Sequence, residues 1–331
     1  MNQSDKSILI TGANGFVGVQ LCRKFLDSGF QVIAGVRKTA NLSMLEGLKV
    51  DYRYGDVTSA ESLIEMVKDV DFVIHNAGVV KAKKKQIFFD VNEKGTVNLF
   101  EAISRHNPNV KKVIYVSSLA AAGPSRDGRP VTESDKPNPI TSYGSSKLAG
   151  EAAALSYQDK FNVLSIRPPA IYGPGDKELF QFFEAVYKGI RPFIGDSSRK
   201  LQLVEVGDLC QAFYLAITKE TPSGEICFVA ESEAYSMKQL IEMMAEACGK
   251  GGFRLYIPAF LLYAAAFVVQ TISAIVGVTP MLSLEKAKEI LSSWEVSTSK
   301  AKELFEFSSS VSFEDGARAT YDWYLKHGWL K

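Results

Sequence analysis

Three histidines and four cysteines are the only imidazoles and thiols that this chain of 331 residues offers a metal ion, and they are scattered. His75, His106 and His327 have no cysteine or acidic cluster at ligand spacing, so no metal site is expected. Cys22, Cys210, Cys227 and Cys248 form no C-x-x-C pair. No secretory leader is visible, because MNQSDKSILI runs directly into an apolar strand. A reduced, cytoplasmic setting is the expectation. Charge of one sign is also missing: 38 basic against 37 acidic side chains leave a net charge of +1. Without a positive field, nucleic acid is excluded as a partner. The one basic cluster, Lys81 with Lys83, Lys84 and Lys85, reads as a solvated loop that borders the end of a strand. No G-x-S-x-G elbow occurs, which excludes the common serine hydrolase arrangement. His75 closes an apolar strand and reads as structural. Internal repeats and low-complexity tracts are absent. The hydrophobic fraction of 46% is that of a packed globule, and the length allows one large α/β domain plus a smaller lobe.

What the chain does have is a regular alternation of strands and helices. SILITG at 7–12 reads as a buried strand, and Gly12, Gly15 and Gly18 follow it in TGANGFVG. A helix then begins, with Phe16, Val17, Leu21 and Phe25 facing inward. Glycines let backbone approach a pyrophosphate, and a helix N-terminus supplies free N–H groups and a positive dipole end. The spacing is G-x-x-G-x-x-G rather than G-x-G-x-x-G, and three glycines alone could mark a plain turn. The strand before and the helix after favour nucleotide binding by Gly12, Asn14, Gly15, Phe16, Val17 and Gly18. A second strand, 31–38, ends in Val36, Arg37 and Lys38 where an acidic residue would select NAD. Arg37 and Lys38 suit a 2′-phosphate, so NADP is expected, with NAD the alternative. A solvated basic loop is the bland account of the same pair. The third strand ends at Asp56 and Val57, where Asp56 would meet the adenine amine. The fourth, 71–78, ends in Ala77 and Gly78, small enough for backbone to pass under a cofactor. The fifth, 111–118, ends in Ser117 and Ser118. Helical patterns between them, notably 86–106, predict an α/β fold with a doubly wound parallel sheet, the Rossmann arrangement. Its ligands sit at the carboxyl ends of the strands.

Tyr143 and Lys147 lie four apart in TSYGSSKLAGE, within a helix predicted over 141–159. That spacing places phenol and ammonium on one helix face. A phenol ionises near pH ~10. A cation held beside it lowers that value, and a phenol so tuned exchanges a proton with a substrate oxygen near neutral pH. Alone the pair is a weak signal, since any two surface residues at helical spacing produce it.

Taken together and in order, TGANGFVG, GDVTS, HNAG, VNEKGT, VIYVSSLAAAG, YGSSK and RPPAIYGPG resemble the extended short-chain dehydrogenase/reductase superfamily over nearly the whole chain. The resemblance implies that Ser118, Tyr143 and Lys147 act as a set, with Ser117 the weaker choice of serine. Asn92 of VNEKGT matches an asparagine thought to hold a proton-relay water. Lys147 would also bind the nicotinamide ribose, and Pro169 would line the cofactor. The implied reaction is hydride transfer between a nicotinamide cofactor and a carbonyl or alcohol, with Tyr143 as general acid/base. SSLAAAGP and the apolar C-terminal half look like the 3β-hydroxysteroid dehydrogenase and dihydroflavonol reductase branches, which implies a small hydrophobic substrate. A nucleotide-sugar epimerase or dehydratase is the alternative, although Leu201 stands where those enzymes often carry arginine, with Arg199 and Lys200 near. A non-catalytic nucleotide-sensing scaffold is the reading of another class.

The expected organisation is a nucleotide-binding domain over 1–168, completed by parts of 200–230, and a substrate lobe over 169–331. Strands are predicted at 161–169 and 225–230, and helices at 176–188, 208–218, 236–248, 284–304 and 312–326. Tyr172, Phe193 and Ile194 are candidates to line a pocket, with core packing the plainer account. Residues 255–284 carry no charged side chain. That run is long enough to span a bilayer, but Pro258, Gln270, Gly277 and Pro280 interrupt it. A helix packed over the active site or in a homodimer is the first expectation, and peripheral membrane contact the second.

Overall fold

The computed structural model describes residues 6–331. The chain opens with β1 (Ser7–Thr11), buried at every position, then α1 (Phe16–Asp27) and β2 (Gln31–Val36). β3 (Asp51–Tyr54), α2 (Ala60–Val67) and β4 (Phe72–His75) follow. The pattern predicted as one helix over 86–106 has three parts: α3 (Lys85–Phe89), a π turn (Asp90–Lys94) and α4 (Gly95–His106). Next come β5 (Lys112–Val116), the short α5 (Leu119–Ala122), α6 (Ser142–Leu155) and β6 (Asn162–Arg167). The side chain of Thr141 caps α6 by accepting the Gly144 N–H at 3.0 Å.

The chain then leaves the sheet through β7 (Ala170–Tyr172), α7 (Phe180–Tyr187), β8 (Ile190–Ile194), β9 (Lys200–Leu201) and β10 (Leu203–Glu205). It returns through α8 (Val206–Thr218) and β11 (Glu225–Phe228). The remainder is β12 (Tyr235–Ser236), α9 (Met237–Ala247), β13 (Phe253–Ile257), α10 (Ala259–Val276), α11 (Leu284–Ile290), α12 (Ser299–Phe305) and α13 (Phe313–Lys326).

The seven-stranded sheet has the order β11-β6-β5-β4-β1-β2-β3, and every pairing in it is parallel. Both faces are covered, which is why β1, β5 and β6 read as continuous apolar runs. On one face Val19, Phe25, Leu209 and Phe213 pack on Ile10 and Ile114. On the other, Leu63, Leu99 and Ile103 pack on Leu9 and Val113. The topology reverses between β1 and β4, so a crevice opens at their carboxyl ends.

A separate core of Tyr172, Phe183, Phe193, Ile241, Phe313 and Tyr324 holds the C-terminal lobe. Tyr172 and Phe193 are therefore core rather than pocket lining, because their rings fill the space between β7, β8 and α13. Three further expectations change. The helix expected over 176–188 begins at Phe180, because Asp176 takes the N–H groups of Glu178 and Leu179 in a turn. The helix expected over 284–304 is two helices. Between them the backbone straightens to bridge Trp294 to Leu201 and Val296 to Val131. Finally, α10 packs on the protein along one narrow stripe only: 17% of it is buried.

Candidate active site

The cofactor end is built by the turn from β1 into α1. Gly12 holds φ +65°, and a Cβ there would come within 2.9 Å of the Ala77 Cα. A Cβ on Gly18 would come within 2.2 Å of the Gly12 carbonyl oxygen. Glycine is required at both places by close backbone approach. Gly15 precedes α1 with no side-chain cap, so the first-turn N–H groups of Phe16, Val17 and Gly18 have no side-chain acceptor. An uncapped helix start beside a glycine cradle is what a pyrophosphate needs. The β4 end is tied to the same turn. The Ala77 N–H donates to Thr11 Oγ1 at 3.0 Å, and Asn76 Nδ2 donates to the Gly12 carbonyl at 3.3 Å. Asn14 Nδ2 reaches the Asn41 carbonyl at 3.4 Å, which brings the loop after β2 alongside. Arg37 and Lys38 on that loop are exposed and have no ion pair among the described residues. Asp56 Oδ1 accepts the Thr58 N–H and hydroxyl at 2.9 and 2.8 Å, and the Val57 carbonyl accepts Asn98 Nδ2 at 2.8 Å. Pro169 is half-buried beside Pro168, whose carbonyl accepts the Leu119 N–H at 2.8 Å. These residues fit a dinucleotide.

The reactive end lies where β5 meets α6. Ser118 caps α5 through its hydroxyl, which accepts the Ala120 N–H at 3.1 Å, and its side chain stands close enough to the Tyr143 phenol to favour its ionised form. Ser117 is buried with its hydroxyl unpartnered, so the two serines are separated by geometry. The Phe88 ring flanks Tyr143 at 6.2 Å between centroids. Burial pushes the Tyr143 phenol up to about 12, opposed by the Ser118 hydrogen bond. Burial also pushes Lys147 down to about 7, opposed by Glu151. Lys147 Nζ donates to the Val116 carbonyl at 2.6 Å and sits 4.2 Å from the Tyr115 ring centroid. The spacing argument thus needs correction: both groups share a helix face, but burial dominates at the phenol, with the Ser118 side chain opposing it and Glu289 adding to it.

Asn92 lies in the π turn, almost fully buried. It donates to the Val79 carbonyl at 3.1 Å and to Ser146 Oγ at 2.9 Å, and it accepts the Val79 N–H at 2.9 Å. A Cβ on Gly78 would meet Asn92 Oδ1 at 3.0 Å. The π turn re-aims this one side chain from the helix toward the strand end. His75 is fully buried between Thr11 and Thr96, and burial pushes it down to about 3. Such a residue is structural.

Two further groups stand outside the candidate residues. Glu151 and Arg167 form a buried pair beneath α6, with Nε to Oε2 at 3.0 Å, and Ser165 Oγ adds 2.7 Å. Glu285 of α11 accepts the Ser142 N–H and hydroxyl at the start of α6, both at 2.8 Å. Glu151 stands one turn beyond Lys147, a signal that helical spacing does carry; nothing in the sequence links Glu285 to Ser142. A cavity lined by Lys6, Lys112 and Asn162 lies at the amino ends of the strands, far from Tyr143. The carboxyl ends remain the place for chemistry in such a sheet.

Fold and site define a nicotinamide-dependent oxidoreductase of Rossmann type. A model of the NAD dependent epimerase/dehydratase family matches residues 8–230, and the chain belongs to that family. It is similar to a ceramide reductase of Caulobacter vibrioides, 29% identical over 98% of this chain and 96% of that protein. It is also similar to a UDP-glucose 4-epimerase of Vibrio cholerae, 30% identical over 76% and 79% of the two chains. Among solved structures, that of gox2253 superposes with a TM-score of 0.83 at 24% identity, over 99% and 100% of the chains.

Proposed function

We propose that the protein interconverts a ketone and an alcohol on a hydrophobic, lipid-like substrate, using NADP. The observation that carries the reading is the contact of Ser118 with Tyr143, beside a glycine cradle at the carboxyl end of the sheet. When bound, the cofactor supplies or accepts the hydride at the substrate carbon. Tyr143 gives its phenolic proton to the substrate oxygen in reduction and takes it back in oxidation. Ser118 donates a hydrogen bond to that oxygen as charge develops there. Lys147, buried at the end of β5, orients the cofactor ribose. Asn92 and Ser146 hold the path by which a proton returns. A phenol raised to about 12 is protonated throughout the neutral range, so Tyr143 enters the reduction carrying its proton.

Support for NADP comes from Arg37 and Lys38, exposed on the loop that Asn14 fastens to the glycine turn. Support for a lipid-like substrate comes from the uncharged run 255–284 and from the ceramide reductase, which matches end to end. One observation favours nucleotide-sugar epimerisation instead: Arg199 is buried with Nε and Nη2 unpartnered, as an arginine awaiting a diphosphate would be. Its Nη1, however, already serves the carbonyls of Ile194 and Asp196.

The test is a panel of medium- and long-chain ketones and UDP-glucose, with cofactor consumption followed by absorbance. Tyr143→Phe should slow turnover about 10²–10⁴-fold while NADPH affinity stays near wild type. Arg37→Ala should weaken NADPH about tenfold and leave NADH unchanged. Wild-type turnover in Tyr143→Phe would sink the mechanism. Conversion of UDP-glucose without net cofactor consumption would move the chain to the epimerases.

A further inference from the structure

Residues 253–283 leave the lobe as β13, run out along α10 and fold back to α11. The exposed side chains of α10 include Phe260, Tyr263, Phe267, Val268, Ile272 and Ile275. At 3.6 residues per turn they cover roughly two-thirds of the helix circumference. The buried side is a narrow stripe of Leu262, Ala266 and Ser273. A protein partner covers one face of a helix; a helix apolar over most of its circumference fits a fluid apolar surrounding. Two of the polar side chains on α10 are engaged by the protein itself. Thr271 Oγ1 donates to its own helix at the Phe267 carbonyl, at 2.8 Å, and Gln270 Oε1 accepts the Leu284 N–H at 3.0 Å.

The geometry also decides how such a helix meets a bilayer. Its 18 residues make about 27 Å, close to the ~30 Å of a hydrocarbon core. Yet both ends are rooted in one folded body. β13 pairs with β8 along its whole length, and α11 packs back on α10 through Ala287. Gly277, in the left-handed conformation at φ +74°, turns the chain back. A hairpin whose two ends lie on the same side enters one leaflet and does not cross. Its outermost side chains are Ile275, 80% exposed, and Met281, 81% exposed. Where the hairpin closes on α11, Glu285 pairs with Lys85, and Lys83, Lys84 and Lys288, close by in the chain, are exposed and without ion pairs among the described residues. Cations beside an apolar hairpin complement anionic headgroups.

We propose that the hairpin 253–283 is a monotopic membrane anchor that seats the active-site mouth on an anionic lipid surface. The site then takes its substrate from the bilayer. The link to the site is short: α11, which closes the hairpin, places Glu285 on Ser142, the residue before Tyr143. The delivery step rests on the lipid-like substrate proposed above, whereas the anchor does not.

The test is flotation of the full chain with phosphatidylcholine vesicles, with and without phosphatidylglycerol, read by gel. Wild type should float with both and better with the anionic mixture. Phe267→Asp and Ile275→Asp should each cut the bound fraction at least tenfold while binding NADPH normally. Replacing Lys83 and Lys84 with Ala should remove only the gain from phosphatidylglycerol. An Ile275→Trp variant should gain fluorescence that brominated phosphatidylcholine quenches. Wild type left in the aqueous fraction at every composition would overturn the proposal. So would flotation unchanged in both Asp variants. A dimer that Phe267→Asp dissociates, with no flotation, would assign the face to a second copy and equally overturn it. None of these readings uses turnover, so failure here leaves the proposed chemistry standing.

Discussion

His75 shows what a single buried side chain asks of this fold. It bridges Thr11 Oγ1 and Thr96 Oγ1 with its two ring nitrogens, at 2.9 and 3.1 Å, under the glycine turn. In the folded chain it is pushed down to about 3 by burial first and by the Lys147 charge second. Unfolded, it titrates near ~6.5. The unfolded state therefore binds more protons between those values, and stability falls as pH falls below about 6.5. The slope from this one group approaches about 1.4 kcal/mol per pH unit. His75→Gln should flatten the decline between pH 6 and about pH 4, measured as the difference between wild-type and variant urea midpoints. An unchanged difference across that range would place the charge elsewhere. Residues of this kind were legible by type but not by electrostatics. Spacing located Tyr143 and Lys147 on one face; it could not say that both would be desolvated, which sets the sign at the phenol.

At the scale of an element, α6 is the part on which the site depends most. Its mean composition is rich in Ala and Ser, so little apolar area fixes its rotation. The Glu151–Arg167 pair does so instead, pinning the helix to β6 with both side chains buried. Truncating one partner of such a pair leaves a buried charge uncompensated and costs about 3–5 kcal/mol. Glu151→Gln should therefore lose about 3 kcal/mol in urea unfolding. The double change Glu151→Leu with Arg167→Met should recover most of it, because a well-packed apolar pair avoids the desolvation penalty. Glu151 also supports the Lys147 charge, so the Gln variant should move the lysine further down and shift the pH limit of cofactor binding to lower pH. Both partners lie within motifs that were read for other reasons, TSYGSSKLAGE and RPPAIYGPG. The strands and helices of the sheet were legible because parallel strands are continuous apolar runs. The π turn at 90–94 was not, because a single inserted residue leaves the apolar periodicity nearly intact. The break after Ile290 was hidden for another reason. Trp294 continues the helical spacing of Ala287, Ile290 and Leu291, yet it leaves the helix to bridge Leu201, and Val296 bridges Val131.

Across the whole molecule, chain order and spatial order part company. The lobe is built from segments on both sides of α8 and β11, which themselves complete the sheet. Long-range polar contacts hold the arrangement. Asp208 accepts the N–H groups of Ser310 and Val311, and the Tyr324 hydroxyl donates to the Asp176 carbonyl. The contact with most bearing on function is Glu285 with Ser142, because it joins the membrane-proposed hairpin to the catalytic helix. It places a carboxylate at a helix N-terminus, where the dipole favours it. Two charge-assisted hydrogen bonds on a partly exposed side chain contribute about 1–2 kcal/mol together. Glu285→Ala should lose about that much in urea unfolding. Its distinguishing signature is regional. Amide exchange should quicken in Ser142–Gly144 and in residues 284–290 together, while β1 and β4 amides keep wild-type protection. Quickening confined to 284–290 would mean that the lobe and the catalytic helix are independent, and that nothing passes from the hairpin to Tyr143 through this contact.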